Sequence, residues 1–451
     1  MLDAVSILAQ VDASFGSRFL NTLARGLALG GVYAMIALGF VIIFKATQVL
    51  NFAQGALAAI GGLFVSFLVF DRPDESAPRG QTPFTWWRAP FAGDGFPDFA
   101  QQWASIILVA FLAGLAVHLL SGYAVQGRMV ATGLIGFVFL RWLSTRAGFT
   151  FLDNEATSLI IALVAGLGIG AVRGWRPSVR MLATTAGAFV LLILFAISDS
   201  VWIEWLGNLA IAMIFGAVLG IVLERIAIRP MVGQPLFSLA VVTLGLEIAL
   251  RQASSDSVRV LNRSVEAPWA ASGGDSDGGF VLFGAFYNWS IVVILFGTAL
   301  SFVAVYFFYR SKLGVAMRAV SFDQEAAMAQ GINVGQVFAI AWAAGTVLAV
   351  LGGVFATQPP IAAEGSVTLV TALVAFRALP AVILGGLDSI QGALIGGLLI
   401  GVAEISSGQY LGQFTSTLGA GFQTIVPYIV MLAVLLIRPF GLFGTPEIRR
   451  V

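Results

Sequence analysis

The chain has 451 residues, 59% hydrophobic and only 10% charged, with a formal net charge of +1. Soluble domains carry about 25% charged residues, so apolar surface on this scale needs lipid as its solvent, and the fold class expected is an all-α, polytopic helical membrane protein. The lack of cysteine and the single histidine, His118, argue against a zinc site, a thiol nucleophile or a Ser-His-Asp triad, and neither a metal nor another cofactor is expected. A near-neutral charge without basic runs offers nothing to nucleic acid. The only lysines, Lys45 and Lys312, follow Phe44 and Ser311, so the Gly-Lys pair of a phosphate-binding loop is absent and ATP is not hydrolysed here by that route.

The first 19 residues lack the basic start of a signal peptide, and their apolar run is short; they read as an interfacial segment. Segments of about 20 apolar residues, each long enough to span, then follow in series. They fall at about 26–44, 52–70, 103–121, 129–147, 157–173, 181–198, 206–224, 236–252, 288–308, 335–357, 366–385, 391–407 and 422–438, about 13 in all. Arg141 and Arg146 flank or interrupt the 129–147 segment. The 391–407 segment is short and glycine-rich and reads as a broken or partial helix.

Arg and Lys in short loops mark the cytoplasmic side. Lys45, Arg128, Arg173, Arg176, Arg180, Arg225, Arg229, Arg310, Lys312, Arg318 and Arg438 fall on one side, together with Arg449 and Arg450 of the tail. Asp153, Glu155, Asp199, Glu204 and two long polar segments, about 71–101 and 253–287, fall on the other. The C-terminus is then cytoplasmic and the N-terminus outside, although Arg18 and Arg25 argue against the latter. Trp86, Trp87, Trp103, Trp202 and Trp205 lie near outer ends, as an aromatic belt requires.

The segment 310–332 stands out. It reads RSKLGVAMRAVSFDQEAAMAQGI and carries five charges between two apolar spans, so it lies in water or at the interface. Its Glu325-Ala326-Ala327, followed by Gly331, resembles the "EAA" loop of permease subunits in ATP-driven importers. Further stretches resemble the permease subunit of branched-chain amino acid importers, the LivH type: GLALGGVYAMIALGFVII (26–43), NFAQG (51–55), LGIVLERIAIRP (219–230), LGGLDSIQGALIGGLLIGVAE (384–404) and IRPFGLFG (437–444). They stand in family order. Gln54 replaces the family's usual histidine. The resemblance covers about 20–70 and 204–446 and fails over 71–203, which reads as an insertion of about 130 residues. The chain then divides into an N-terminal permease segment (1–70), a membrane-embedded insertion with an external loop (71–203) and a C-terminal permease segment (204–451) with a coupling loop at 310–333. Nine spans are family-like and about four belong to the insertion; an even number returns the chain to the same side.

The resemblance implies a membrane permease in a binding-protein-dependent, ATP-driven importer of branched-chain or related small amino acids or amides. It implies no catalytic residue. Its partners would be two ATP-binding cassette ATPase subunits, a second permease (a LivM-like paralogue or the same chain) and a periplasmic or lipid-anchored binding protein. The site would be the bacterial cytoplasmic (inner) membrane, among its lipids. Asp323, Glu325, Ala326, Ala327 and Gly331 would couple to the ATPase, with Glu325 orienting or capping the short helix and Gly331 permitting a tight turn.

Tyr33, Asn51, Gln54, Thr243 and Arg377 are candidates for the translocation pathway, because polar groups at membrane depth are costly unless they face a cavity or a partner. Glu247 and Glu404 are costly there for the same reason. An Arg377–Glu404 or Arg377–Glu364 structural pair is the plainer reading of Arg377. Gly30, Gly31, Gly385, Gly386, Gly392 and Gly396 suit close helix packing. His118 reads as structural, and Asp256, Glu266, Asp275 and Asp277 as a solvated surface. An ion-coupled secondary transporter of a small polar solute is the alternative function. An intramembrane enzyme or sensor is a third, without a supporting cluster of His, Cys or paired carboxylates.

Overall fold

The computed structural model describes residues 15–69, 186–187, 201–231, 233–258, 262–265, 267–269, 278–282, 285–359, 361–362, 366–414, 419 and 421–444. The expected spans at 103–121, 129–147, 157–173 and, but for 186–187, 181–198 lie outside them. So do His118, Trp86, Trp87, Trp103, Asp153, Glu155, Asp199, Glu266, Asp275, Asp277, Glu364, Arg449, Arg450 and the 71–101 segment.

The helices in chain order are α1 (Phe15–Thr47), α2 (Gln54–Val69), α3 (Val201–Leu223), α4 (Leu236–Val258), α5 (Trp289–Arg310), α6 (Lys312–Phe322), α7 (Gln324–Ala329), α8 (Val334–Ala356), α9 (Val374–Gly385), α10 (Ile390–Leu411) and α11 (Phe422–Ile437). The nine expected spans outside 71–203 each fall on one of them. By length and composition six helices can cross a membrane: Gly16–Thr47, Trp205–Met231, Phe237–Ser254, Trp289–Arg310, Val334–Ala356 and Ile390–Leu411. Gln54–Ser66, Thr371–Gly385 and Phe422–Ile437 are apolar but shorter.

α1 is the axis of the bundle. Its residues 28–43 are all buried, as expected for a helix apolar on every side. α10 packs along it most extensively, with α8, α9, α5 and α6 also against it. At 33 residues it is about 50 Å long, more than the ~30 Å hydrocarbon layer, so its ends reach beyond the lipid. The helices from α5 onward, except α9 and α11, start on polar side-chain caps: Asn288, Ser311, Asp323, Asn333 and Ser389 each accept a hydrogen bond from a backbone N–H of the first turn. α9 has no such cap because it continues directly from a 3-10 turn, Leu369–Leu373.

Three local expectations are corrected. The 391–407 segment is not broken: α10 runs unbroken for 22 residues, its glycines seated on neighbouring backbone instead of ending the helix. The interrupted span is 366–385, which begins as strand β4 (Ser366–Thr368), passes through the 3-10 turn and only then becomes α9. The 253–287 segment is not plain polar loop: it holds the end of α4, β1 (Asn262–Ser264), β2 (Gly279–Leu282) and the start of β3 (Ala285–Asn288). β1 pairs antiparallel with β4, and β2 with β3, so the all-α class carries a small strand element at one end. At the start of α3 Trp202 is exposed, and Trp205 is buried edge-on against Trp269, with ring centroids 4.4 Å apart.

Candidate functional site

One end of the bundle collects basic residues. Lys45 Nζ, in the last turn of α1, donates to the Asp388 carbonyl at 2.9 Å and lies 5.7 Å from the centre of the Tyr309 ring. Arg318 Nη1 on α6 donates to the Tyr309 carbonyl at 2.6 Å. Arg229 reaches from α3 to α8: its Nε and Nη2 donate to Glu224 at 3.0 and 3.3 Å, and Nη2 also to the Gly335 carbonyl at 2.6 Å. Glu224 opens a wide π turn, Glu224–Ile228, which aims Arg229 at the first turn of α8.

At this end the charged segment folds into α6 and α7. The α7 cap is Asp323, whose Oδ1 accepts from the Ala326 N–H at 2.9 Å; this corrects the expectation that Glu325 caps it. Glu325 sits exposed in the first turn, where a negative charge suits the helix dipole. Gly331 ends the element at φ +80°, with its N–H donating to the Met328 carbonyl and that of Ile332 to Ala327, the turn the sequence predicts. The five expected coupling residues divide by helical periodicity. Asp323, Glu325, Ala326 and Gly331 are exposed, whereas Ala327 is buried beside Met317, Val320, Val334 and Phe338 and so cannot be on an outward surface.

The sequence reading missed Phe322. It is 94% exposed at the corner between α6 and α7, with Met328 and Val315 also exposed. Its only sequence signal is a lone aromatic inside a charged stretch. For Asp323→Ala we expect α7 to lose about 1 kcal/mol of local stability. Faster amide hydrogen exchange at 325–329, with α8 unchanged, is the measurement; unchanged exchange would refute the capping role.

The five pathway candidates form two separate clusters. Asn51, Gln54 and Thr243 meet where the chain is not helical between α1 and α2. Asn51 Oδ1 accepts from the Ala53 N–H at 3.1 Å, and its Nδ2 donates to Gln54 Oε1 at 3.0 Å. Gln54 Nε2 donates to the Gly345 carbonyl of α8 at 2.9 Å, and Gly39 leaves room for it, since a Cβ there would overlap the amide. Thr243 of α4 accepts from the Phe52 N–H at 3.3 Å and donates to the Leu50 carbonyl at 3.0 Å. All three side chains are buried. Non-helical backbone at this depth survives only when protein satisfies it, and here side chains do so. Gln54→Leu strands the Asn51 amide and is expected to cost about 1–3 kcal/mol, read as a lower melting temperature in detergent. Gln54→His keeps a donor for Gly345 and is expected to stay close to the parent; equal losses in both would refute this.

Tyr33 and Arg377 form the second cluster, on α1, α9 and α10, around Glu404. The Tyr33 hydroxyl donates to Glu404 Oε2 at 2.6 Å, and Arg377 Nη1 lies 3.6 Å from Oε1. Glu404 is 2% exposed, while the Arg377 side chain is 36% exposed. Of the two structural pairs considered, Arg377–Glu404 is present, and Glu364 lies outside the described residues. Glu247 has its own neighbour, with Arg251 Nε at 3.0 Å.

The packing glycines lie at close helix contacts, all but Gly31 against backbone atoms. Gly30 meets Gly397 and Leu398 of α10, and Gly31 meets Thr298 of α5. Gly385 and Gly392 face each other, and Gly396 meets Ala381. Gly386 differs: at φ +103° it ends α9, against Phe443 and Gly444 of the C-terminal segment. Among the described residues, no group of three His, Cys, Asp or Glu side chains could hold a metal ion.

The fold and its apolar spans define a multi-pass helical membrane protein. The model of the family described as branched-chain amino acid transport system / permease component matches residues 22–158 and 149–435, so the chain belongs to that family, a transport permease and not an enzyme. It is 28% identical over 285 residues to the high-affinity branched-chain amino acid transport system permease protein LivH of Salmonella typhimurium, covering 63% of this chain and 89% of the relative. It is 30% identical over 268 residues to the high-affinity branched-chain amino acid transport system permease protein BraD of Pseudomonas aeruginosa, covering 58% and 83%. It is also 28% identical over 248 residues to the probable branched-chain amino acid transport permease protein LivH of Methanocaldococcus jannaschii, covering 52% and 74%. No solved structure matches the chain.

Proposed function

We propose that this permease works in a binding-protein-dependent, ATP-driven importer of branched-chain or related small amino acids or amides, in the bacterial cytoplasmic membrane. Its C-terminus is cytoplasmic. Two ATP-binding cassette ATPase subunits dock below, a second permease (a LivM-like paralogue or another copy) packs beside it, and a binding protein delivers solute from outside. The observation that carries this reading is the α6–α7 element at the basic end. It presents Phe322, Ala326 and Met328 to water, an apolar surface outside the spans that suits a protein groove.

The tie from Arg318 to Tyr309 and the packing of α6 on α1 offer a route for a push on α7 to reach the axis of the bundle. The chain's task is then to bias inward- against outward-open states, with hydrolysis in the partners. An alignment covering 89% of the Salmonella relative takes up only 63% of this chain, which supports an insertion somewhere in it, read here as 71–203. Purification from native membranes in mild detergent tests the reading. ATPase subunits are expected with the parent chain and not with Gly331→Asp. An ATPase-free preparation, with uptake that survives ATP depletion and collapses with the ion gradient, would favour the secondary-transport alternative instead.

A further inference from the structure

We infer that the Arg377 guanidinium holds the carboxylate of a zwitterionic solute during its passage, and that Glu404 occupies it between solutes. This rests on the permease reading above. Arg377 projects from the first turns of α9 toward α10 and α11. Its contact with Glu404 is 3.6 Å, longer than the ~2.7–2.9 Å of a formed charge-assisted hydrogen bond. Glu404 is secured independently, because Tyr33 on the axial helix donates to its other oxygen at 2.6 Å. Arg377 can therefore release Glu404 without setting that carboxylate adrift.

The α9–α11 face carries outward polar side chains where the middles of α4 and α5 carry none. Over 237–249 of α4 and 291–305 of α5 every exposed residue is apolar, Val241, Leu244, Ile248, Phe296, Leu300 and Val303 among them, and Glu247 is turned inward; the open Arg251, Gln252, Tyr306 and Arg310 stand toward the helix ends. On the α9–α11 face, the half-open Arg377 and Tyr428, whose hydroxyl donates to the Phe376 carbonyl at 3.1 Å, stand among the exposed Leu373, Ile425, Ile429 and Leu432. A guanidinium left that open at this depth faces water, because hydrocarbon would cost too much. Its planar fork of donors matches a carboxylate. Exchanging one carboxylate for another keeps the guanidinium paired throughout, while the buried Glu404 keeps the Tyr33 hydroxyl. A small zwitterion can thus enter where a neutral analogue gains nothing.

The test uses the full transport complex in proteoliposomes, with radiolabelled leucine as probe and leucinamide, which lacks the carboxylate, as competitor. Arg377→Gln is expected to lower leucine uptake about ten- to a hundredfold with the subunits still assembled. Glu404→Gln is expected to lower the half-saturation concentration and the maximal rate together, since nothing displaces the solute. The double variant separates a site from a strut. A purely structural ion pair would be relieved when both charges go, and uptake would return; a carboxylate site stays lost. Recovery in the double variant, or parent-like uptake in Arg377→Gln, would overturn the inference.

A second measurement leaves both charges in place. The chain has no cysteine, so Leu373→Cys can be labelled alone on this subunit with a membrane-impermeant thiol reagent. Labelling at Leu373 slowed by leucine and not by leucinamide is expected, with Phe296→Cys unlabelled; the reverse pattern refutes the aqueous face. The parent control decides the importer reading separately. Uptake that persists without ATP overturns that reading, and the Arg377 comparison is then made on the same uptake.

Discussion

Phe322→Asp is expected to release the ATPase subunits from this permease and reduce ATP-driven uptake to background. The side chain is almost wholly exposed at the α6–α7 corner, where nothing among the described residues covers it. An exposed phenyl ring on a water-facing segment has no role in holding its own fold. Removing it from water in a partner's groove returns about 25 cal/mol per Å², or about 2–3 kcal/mol for a whole ring. A carboxylate forfeits that term and adds the cost of burying a charge. Phe322→Leu retains most of the apolar area and is expected to keep most of the coupling. The measurement is recovery of ATPase subunits with the tagged permease, beside the melting temperature of the permease alone. A normal melting temperature with full recovery of ATPase in Phe322→Asp would remove Phe322 from the interface.

Gly401→Leu is expected to abolish the folded permease. A Cβ at position 401 would overlap the Gly30 backbone, and one at Gly30 would come within 2.7 Å of Leu398 Cα. The partner atoms are backbone, so they cannot rotate away as a side chain can. Two helices would have to separate along the most extensive contact in the bundle, and the Tyr33–Glu404 bond would part with them. The cost exceeds the ~1–3 kcal/mol of ordinary overpacking. Gly245→Leu is the control: no atom lies within 4 Å of a Cβ there, and its yield in detergent is expected to match the parent. A monodisperse Gly401→Leu protein at parental yield would contradict the close α1–α10 approach.

The route from sequence to site was uneven for physical reasons. Arg377 and Glu404 were visible because a charge within an apolar run is conspicuous. Their pairing was one of two alternatives, and Tyr33 could not be added to it, being 371 positions from Glu404. Asp323 and Glu325 both suited the start of α7; the backbone bend at Asp323, φ −157° and ψ 112°, makes it the cap. Ala326 and Ala327 are chemically identical, yet the ~100° of rotation between neighbours on a helix exposes the first and buries the second. Phe322 passed unnoticed because hydropathy averages a lone aromatic into its charged surroundings.

By itself the sequence determined the membrane class, the nine apolar segments outside 71–203 that fall on helices, the position of the charged segment between α5 and α8 and the turn at Gly331. Each follows from local chemistry: the transfer cost of charge, the length of an apolar run and the positive φ that glycine tolerates. Only the tertiary structure decided that 366–385 is interrupted and 391–407 is not, that Asn51, Gln54 and Thr243 close one buried joint, and that Tyr33, Glu404 and Arg377 form another. Those outcomes depend on which backbone lies against which. Glycine can end a helix or bring two together, and a buried amide can line a passage or seal a joint. Residue type leaves both open, and the neighbour across the bundle selects one.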